Sequence, residues 1–441
     1  FGFVANRAPT VAATTLPLYS GFTRTLDLTS LATDLDGDRL SFVLTGVSHG
    51  AVTLINGGRT VLFTAADDYA GPAGFTLRAD DGSLTSAAAG VTFTVTIPVL
   101  RGIRINERDR VLEPGEFLQL TFTGVLDSGE ELPLPARQVV FTSTAPGVAR
   151  VSSRGQVFAV ANGVATILAQ GRNCTAATPV TVGPADEALL DFYPESYALT
   201  VGETRQFVTR EKLGVAEIVD RSAAAQGTTY HLSRAGVGTM TVDGLFTATA
   251  IGTVEVTVIH GGQSQVVPMS VRSPAANSAA TDGSGALVQA GDGTTVGFGA
   301  GSLPEGTTVS VTPLAAGNVP YEAPTGWSFA GGFTVNTSGQ IPDGGFSASL
   351  PVSGRAAGDE LYLFSPVQTI LGPGVYEDSW LIVDRMVVGN DGVARTTSAP
   401  YDDSWIGSGR GGMLVRPSFQ GMMFAFTPSM AAAAVVMGGM A

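Results

Sequence analysis

Gly155-Gln156-Val157-Phe158-Ala159-Val160-Ala161-Asn162-Gly163-Val164-Ala165-Thr166-Ile167 returns in pattern as Gly244-Leu245-Phe246-Thr247-Ala248-Thr249-Ala250-Ile251-Gly252-Thr253-Val254-Glu255-Val256. Two glycines hold their spacing around an apolar alternation in both stretches. A period of two places Val157, Ala159 and Ala161 on the core face of a strand, and Gly163 or Gly252 permits the turn into the next one. Upstream, Leu112-Glu113-Pro114-Gly115-Glu116 with Gln119 and Leu120 is answered by Leu199-Thr200-Val201-Gly202-Glu203 with Gln206 and Phe207. One unit of roughly 90 residues is therefore present twice, and each copy reads as a β-sandwich.

The rest of the composition agrees. At 441 residues, with 57 Gly, 24 Pro and 14% charged residues, the chain is several domains of short strands and turns. Met430 to Val436 is the one stretch that reads as a helix. All-β is the expected class: tandem β-sandwich domains followed by a larger C-terminal β domain. A net charge of -14 and a single lysine, Lys212, argue against nucleic acid, which needs a basic face. Cys174, alone, excludes a disulfide within the chain. No apolar run reaches the ~18 residues of a membrane-spanning helix. A start at Phe1 implies a processed chain or a piece of a longer one.

Residues 99–183 and 184–273 hold the two copies. With Ala145-Pro146-Gly147-Val148-Ala149-Arg150-Val151 ahead of its glycine-led strand, the first resembles the bacterial Ig-like group 2 domain. The second, diverged copy has the strand Thr229-Tyr230-His231-Leu232 but no clean counterpart of the Pro-Gly-Val-Ala segment. Residues 1–98 differ: Asp34-Leu35-Asp36-Gly37-Asp38 precedes Leu40-Ser41-Phe42-Val43-Leu44, then Gly50-Ala51-Val52-Thr53-Leu54 and Phe75-Thr76-Leu77-Arg78-Ala79-Asp80-Asp81-Gly82. This order resembles the cadherin-like tandem repeat of large bacterial adhesins. Asn6-Arg7-Ala8-Pro9 is similar to that family's leading linker, with Arg7 where an acidic residue is common.

Residues 274–441 open on a small-residue stretch, Pro274 to Gly285, that reads as a soluble linker. Thr295 to Val309 then resembles the strand-turn-strand segment of ZU5-like β domains. Trp380 to Val388 and Val393 to Thr397 flank the hairpin turn Gly389-Asn390-Asp391-Gly392.

The chemistry is sparse. Asp34, Asp36 and Asp38 alternate around a glycine bend, and with Asp80 or Asp81 they could converge on calcium, which takes six to eight oxygens. The bland alternative is a solvated Asp-Gly turn. Asp67 or Asp68 is a weaker ligand candidate. Gly46-Val47-Ser48-His49-Gly50 matches the G-x-S-x-G hydrolase pattern, but a nucleophile elbow needs a strand-to-helix turn. His231 and His260 lack motif partners. Trp327, Trp380, Trp405, Tyr362, Tyr376 and Tyr401 gather in the last domain, either as core or as a carbohydrate-binding surface.

Both ends, Phe1-Gly2-Phe3-Val4 and Met422 to Met440, are apolar, which suits a piece cut from a longer chain or a terminal strand that inserts into a neighbouring copy. No catalytic site is legible. The expected role is an extracellular or cell-surface structural and adhesive segment, a stalk or scaffold of a large bacterial surface protein, with calcium stiffening a loop. Its partners would be other domains of a longer chain or further copies of itself. The alternatives are a filament subunit assembled by strand exchange, or a carbohydrate-binding accessory region of a secreted enzyme or of a YD-repeat toxin carrier.

Overall fold

The computed structural model describes residues 6–185, 188–213, 218–338, 346–372, 375–397, 414–417 and 422–428. Phe1 to Val4, Tyr401, Trp405 and Met430 to Met440 lie outside the described residues. Among the described residues the structure is strands with five short 3-10 turns and no α-helix. The chain forms two compact units, residues 1–100 with 121–140, and residues 101–120 with 141–441.

In the first unit, Thr14–Tyr19, Ala89–Thr96, Gly71–Asp80 and Ser41–Ser48 form one sheet in that order, and Thr23–Asp27, Thr60–Ala65 and Gly50–Ile55 the other. Between them Phe63 stacks on Phe93 with ring centres 4.4 Å apart, and Leu28, Leu77 and Val61 are fully buried around the pair. The hairpin Phe122–Leu126 with Glu131–Leu134 belongs to the same unit. The turn after it is tied down by Gln138, whose Nε2 donates to the Ser20 carbonyl at 3.1 Å and to Asp67 at 3.2 Å.

The second unit shows why the repeated residues repeat. Arg110–Leu112 lies parallel to Cys174–Val182, which pairs with Gly163–Gly171; Tyr197–Leu199, Gln263–Val271 and Gly252–His260 repeat this arrangement. Glu116 accepts from the Glu113 N–H at 2.9 Å, and Glu203 accepts from the Thr200 N–H at 2.7 Å. Gln119 Nε2 donates to the Leu120 and Arg154 carbonyls, and Gln206 Nε2 to those of Phe207 and Asp243. A Gln206→Ala variant leaves both acceptors without this donor. It is expected to lose about 0.5–1.5 kcal/mol in urea unfolding.

Gly163 and Gly252 sit at φ 142° and 149°, and a Cβ at either would come within 3.0 Å of Val148 or Val237. That pairing corrects two readings of the sequence. Val237 takes the place of Val148, its carbonyl accepting from Thr249 and Ala250 as that of Val148 does from Val160 and Ala161. Gly238–Met240 then pairs with Leu245–Ala248 as Ala149–Val151 pairs with Gln156–Ala159. The second copy therefore does hold a counterpart of the Pro-Gly-Val-Ala segment, in Ala235-Gly236-Val237-Gly238. Ala161 is exposed, because its strand ends at Ala159 and the chain is already turning.

The C-terminal module is one large sheet that closes on itself. Its order runs from Ala286–Gln289 through Thr295–Phe298, Ser347–Pro351, Val393–Thr396, Val375–Val388, Glu360–Gly372, Met422–Pro428 and Trp327–Thr337 to Thr308–Leu314. The stretch read as a linker makes the closure. Ala275–Ala276 pairs with Ala286–Gln289 at one edge, and Ser278–Ala280 pairs with Thr308–Leu314 at the other. Asn277, at φ 61°, makes the step between them and bonds both edges through its N–H and carbonyl. Inside lies an apolar core that includes Val288, Val296, Phe298, Phe333, Leu361 and Met386. Thr295–Phe298 and Thr308–Leu314 are both strands, but they pair with different neighbours and not with each other.

Candidate functional site

Two polar constellations stand out, one in each unit. The first contains the aspartates singled out in the sequence. Asp34 Oδ1 accepts the N–H groups of Asp36, Gly37 and Asp38 at 2.9, 2.9 and 3.2 Å, which folds the DxDGD stretch into a tight loop. Asp80 Oδ1 accepts from Gly82 and its Oδ2 from Thr85, while Asp81 Oδ1 accepts from Ser83 and Leu84. These are Asp-led turns of the kind the side chain makes by itself.

The leading segment joins the two turns. Asn6 Nδ2 donates to Asp81 Oδ2 at 3.0 Å. Arg7 holds Asp36 at both oxygens, its backbone N–H on Oδ2 at 2.7 Å and its guanidinium on Oδ1 at 2.9 and 3.2 Å. The Arg7 hydrogen bonds hold the Asp36 carboxyl below its ordinary range, while the charge of Asp81 pushes the other way. Backbone N–H groups of Leu84 and Ser83 do the same for Asp81.

As arranged, this set does not fit a calcium ion. Asp34 Oδ2 is buried with no hydrogen-bond partner, Asp38 is exposed, and the oxygens of Asp36, Asp80 and Asp81 are taken by protein donors. Calcium needs six to eight oxygens converging at about 2.3–2.6 Å. Among the described residues no group of three or more His, Cys, Asp or Glu is placed to hold a metal ion.

The second constellation joins the second repeat copy to the C-terminal module, and the sequence reading missed it. Arg205 is fully buried. Its Nη2 donates to the Tyr193 hydroxyl at 2.6 Å, its guanidinium carbon lies 4.3 Å from the centre of the Tyr197 ring, and Nη1 is 3.6 Å from Asp384 Oδ2. Burial works against the charged guanidinium, but Tyr193, Tyr197 and Asp384 outweigh it and the group stays protonated. Burial likewise pushes both tyrosine hydroxyls above their usual range.

Around this pair the two modules meet closely. Tyr197 Oη and Thr396 Oγ1 are 3.0 Å apart, Ser347 Oγ donates to the Ala198 carbonyl at 2.7 Å, and Arg395 lies 3.5 Å from Glu203. Gly297 and Gly299 leave room for the backbone: a Cβ at Gly299 would stand 2.3 Å from the Tyr197 nitrogen. Ala198 is 0% exposed here, whereas Val111, at the same place in the first copy, is 50% exposed. The two copies also touch. The Thr175 N–H donates to the Ser233 carbonyl at 2.8 Å, and Ser264 bridges Arg108 and Asp109.

The remaining candidates resolve simply. Gly46 to Gly50 joins the strands Ser41–Ser48 and Gly50–Ile55, so the G-x-S-x-G match is not on a strand-to-helix turn, and His49 stacks on Tyr69 with ring centres 4.1 Å apart. His260 Nδ1 is 2.9 Å from Thr228 Oγ1; burial lowers the pKa of His231. Trp327, Tyr362, Phe364, Trp380, Phe424 and Phe426 form a second core on the closed sheet, ring planes mostly near perpendicular, as between Trp327 and Tyr362 at 89°. Edge-to-face packing of this kind uses the rings on each other rather than presenting a flat platform.

Comparison with known proteins adds a family for part of the chain: the bacterial Ig domain family matches residues 6–94. No curated protein matches the sequence. Among solved structures, mouse cadherin-23 EC22-24 aligns at 15% identity over 61% of this chain and 99% of its own, with a TM-score of 0.18. Surface layer protein SbsC, domains 1-6, aligns at 14% over 86% of this chain and 53% of its own, with a TM-score of 0.19. An endo-fucoidan hydrolase of glycoside hydrolase family 107 aligns at 13% over 60% of this chain and 44% of its own, with a TM-score of 0.18. Likenesses at these TM-scores carry no argument about function.

Proposed function

We propose that the chain is an extracellular structural segment, a stalk or scaffold of a bacterial surface protein, in which the second repeat copy and the C-terminal module act as one stiff body. The bacterial Ig domain match supports the setting. The observation that carries the mechanical part is the Arg205 constellation, a charged and buried contact between the second repeat copy and the C-terminal module. Loosely tethered domains meet through smaller, wetter surfaces and move. A buried ion pair adds little net stability over an apolar contact, but parting its partners strands a buried charge and is costly. The work of such a segment is to hold whatever it carries at a fixed distance and orientation.

Strand exchange through the C-terminal apolar stretch finds less support. Met422–Pro428 is already paired on both sides, with Trp327–Thr337 and Glu360–Gly372 of its own module. Hydrogen exchange on the full chain tests the stiff-body reading. Amides of Tyr197–Leu199 and Ser347–Pro351 are expected to open only with the cores on either side, at the free energy of global unfolding. Faster, independent opening of these two strands would mean that the modules are hinged, and the reading fails.

A further inference from the structure

We propose that Arg7 is the resident cation of the acidic end of the first sandwich, so that the leading segment is latched there by the chain's own guanidinium and not by a divalent ion. Carboxylates brought together from separate turns repel one another and need a positive charge between them. Here Asp36 on the DxDGD loop and Asp81 on the later turn are both held by the leading segment. Arg7 and Asn6, adjacent in sequence, reach one each. The guanidinium supplies the charge, and its planar fork gives it a direction that an ammonium group lacks. The backbone N–H of Arg7 on Asp36 Oδ2 then fixes the main chain to the loop as well. Only Asp34 Oδ2 is left buried and unengaged among these carboxylates. The proposal concerns the first unit alone and stands or falls separately from the stiff-body reading.

The test is calcium titration of the full chain by calorimetry and by thermal unfolding, in wild type and in Arg7→Asp, with chelator as the reference. Wild type is expected to show neither saturable calcium heat nor a shift in melting temperature. Arg7→Asp loses the guanidinium and gains a carboxylate, and it is expected to bind calcium at least roughly tenfold more tightly than wild type, since ligand charge count sets affinity, with a melting temperature that rises with calcium. Should Arg7→Asp fail to fold, Arg7→Gln, which keeps the length and polarity but not the charge, is expected to release the leading segment to protease with or without calcium. Calcium binding by wild type that is lost in Asp36→Ala would overturn the proposal. So would calcium indifference in both wild type and Arg7→Asp, or an Arg7→Gln chain as resistant to protease as wild type.

Discussion

Asp384→Ala is expected to lower the stability of the C-terminal module and its contact with the second repeat copy by about 3–5 kcal/mol, the range for stranding a buried charge. Arg205 would keep its Tyr193 hydrogen bond and the Tyr197 ring, but a fully buried guanidinium with no anion is not compensated by either. The double variant Arg205→Leu with Asp384→Leu removes both charges and keeps apolar volume, so it should regain most of the loss. Urea unfolding of the three proteins, beside the exposed control Glu305→Ala, decides the matter. If Asp384→Ala unfolds with the control, the pair is not what holds the modules together.

Gly299→Val is expected to separate the modules without unfolding either. The residue is not in the left-handed region, so a side chain brings no backbone strain; the obstacle is that the Cβ would stand 2.3 Å from the Tyr197 nitrogen and 2.4 Å from the Ser196 carbonyl carbon. Backbone atoms cannot rotate away as a side chain could. Overpacking of this kind costs about 1–3 kcal/mol where neighbours can shift, and here the shift available is movement of one module off the other. Calorimetry should then show the second copy and the C-terminal module melting in separate steps. Gly317→Val, with nothing within 4 Å of its Cβ position, is the matched control. A single unchanged transition for Gly299→Val would show that the interface has slack the geometry does not suggest.

The sandwiches were legible because their signals are local. The glycines at 163 and 252 and the Glu and Gln of each copy do the same backbone work twice, so spacing alone revealed them. The Arg205 constellation was not, because Arg205 is an arginine in a strand where the first copy has Leu118, and one sequence does not say that an anion from a distant strand awaits it. The sheet-closing stretch was hidden for another reason. Ala275 to Ala280 must fit between two strands and carries only small side chains, and a run of Ala, Ser and Asn has the composition of a flexible linker. At the DxDGD loop the residues and their turns were readable. What could not be read was that Arg7, 29 positions before Asp36, would fold back onto the loop.

In each sandwich the last strand runs parallel to a strand near its start, and this bears on how the modules would meet a load. Thr14–Tyr19 runs beside Ala89–Thr96, Arg110–Leu112 beside Cys174–Val182, and Tyr197–Leu199 beside Gln263–Val271, each pair parallel and in register. Tension that reaches the start of the earlier strand and the end of the last draws them opposite ways, so the two slide along their common axis. Their hydrogen bonds run across that axis and are strained together, unlike the end-to-end peeling of a hairpin pulled open from one side. Resistance of this kind is a matter of unfolding rate rather than of equilibrium stability, and under the proposed structural role it would need no disulfide, only that these parallel strands stay paired.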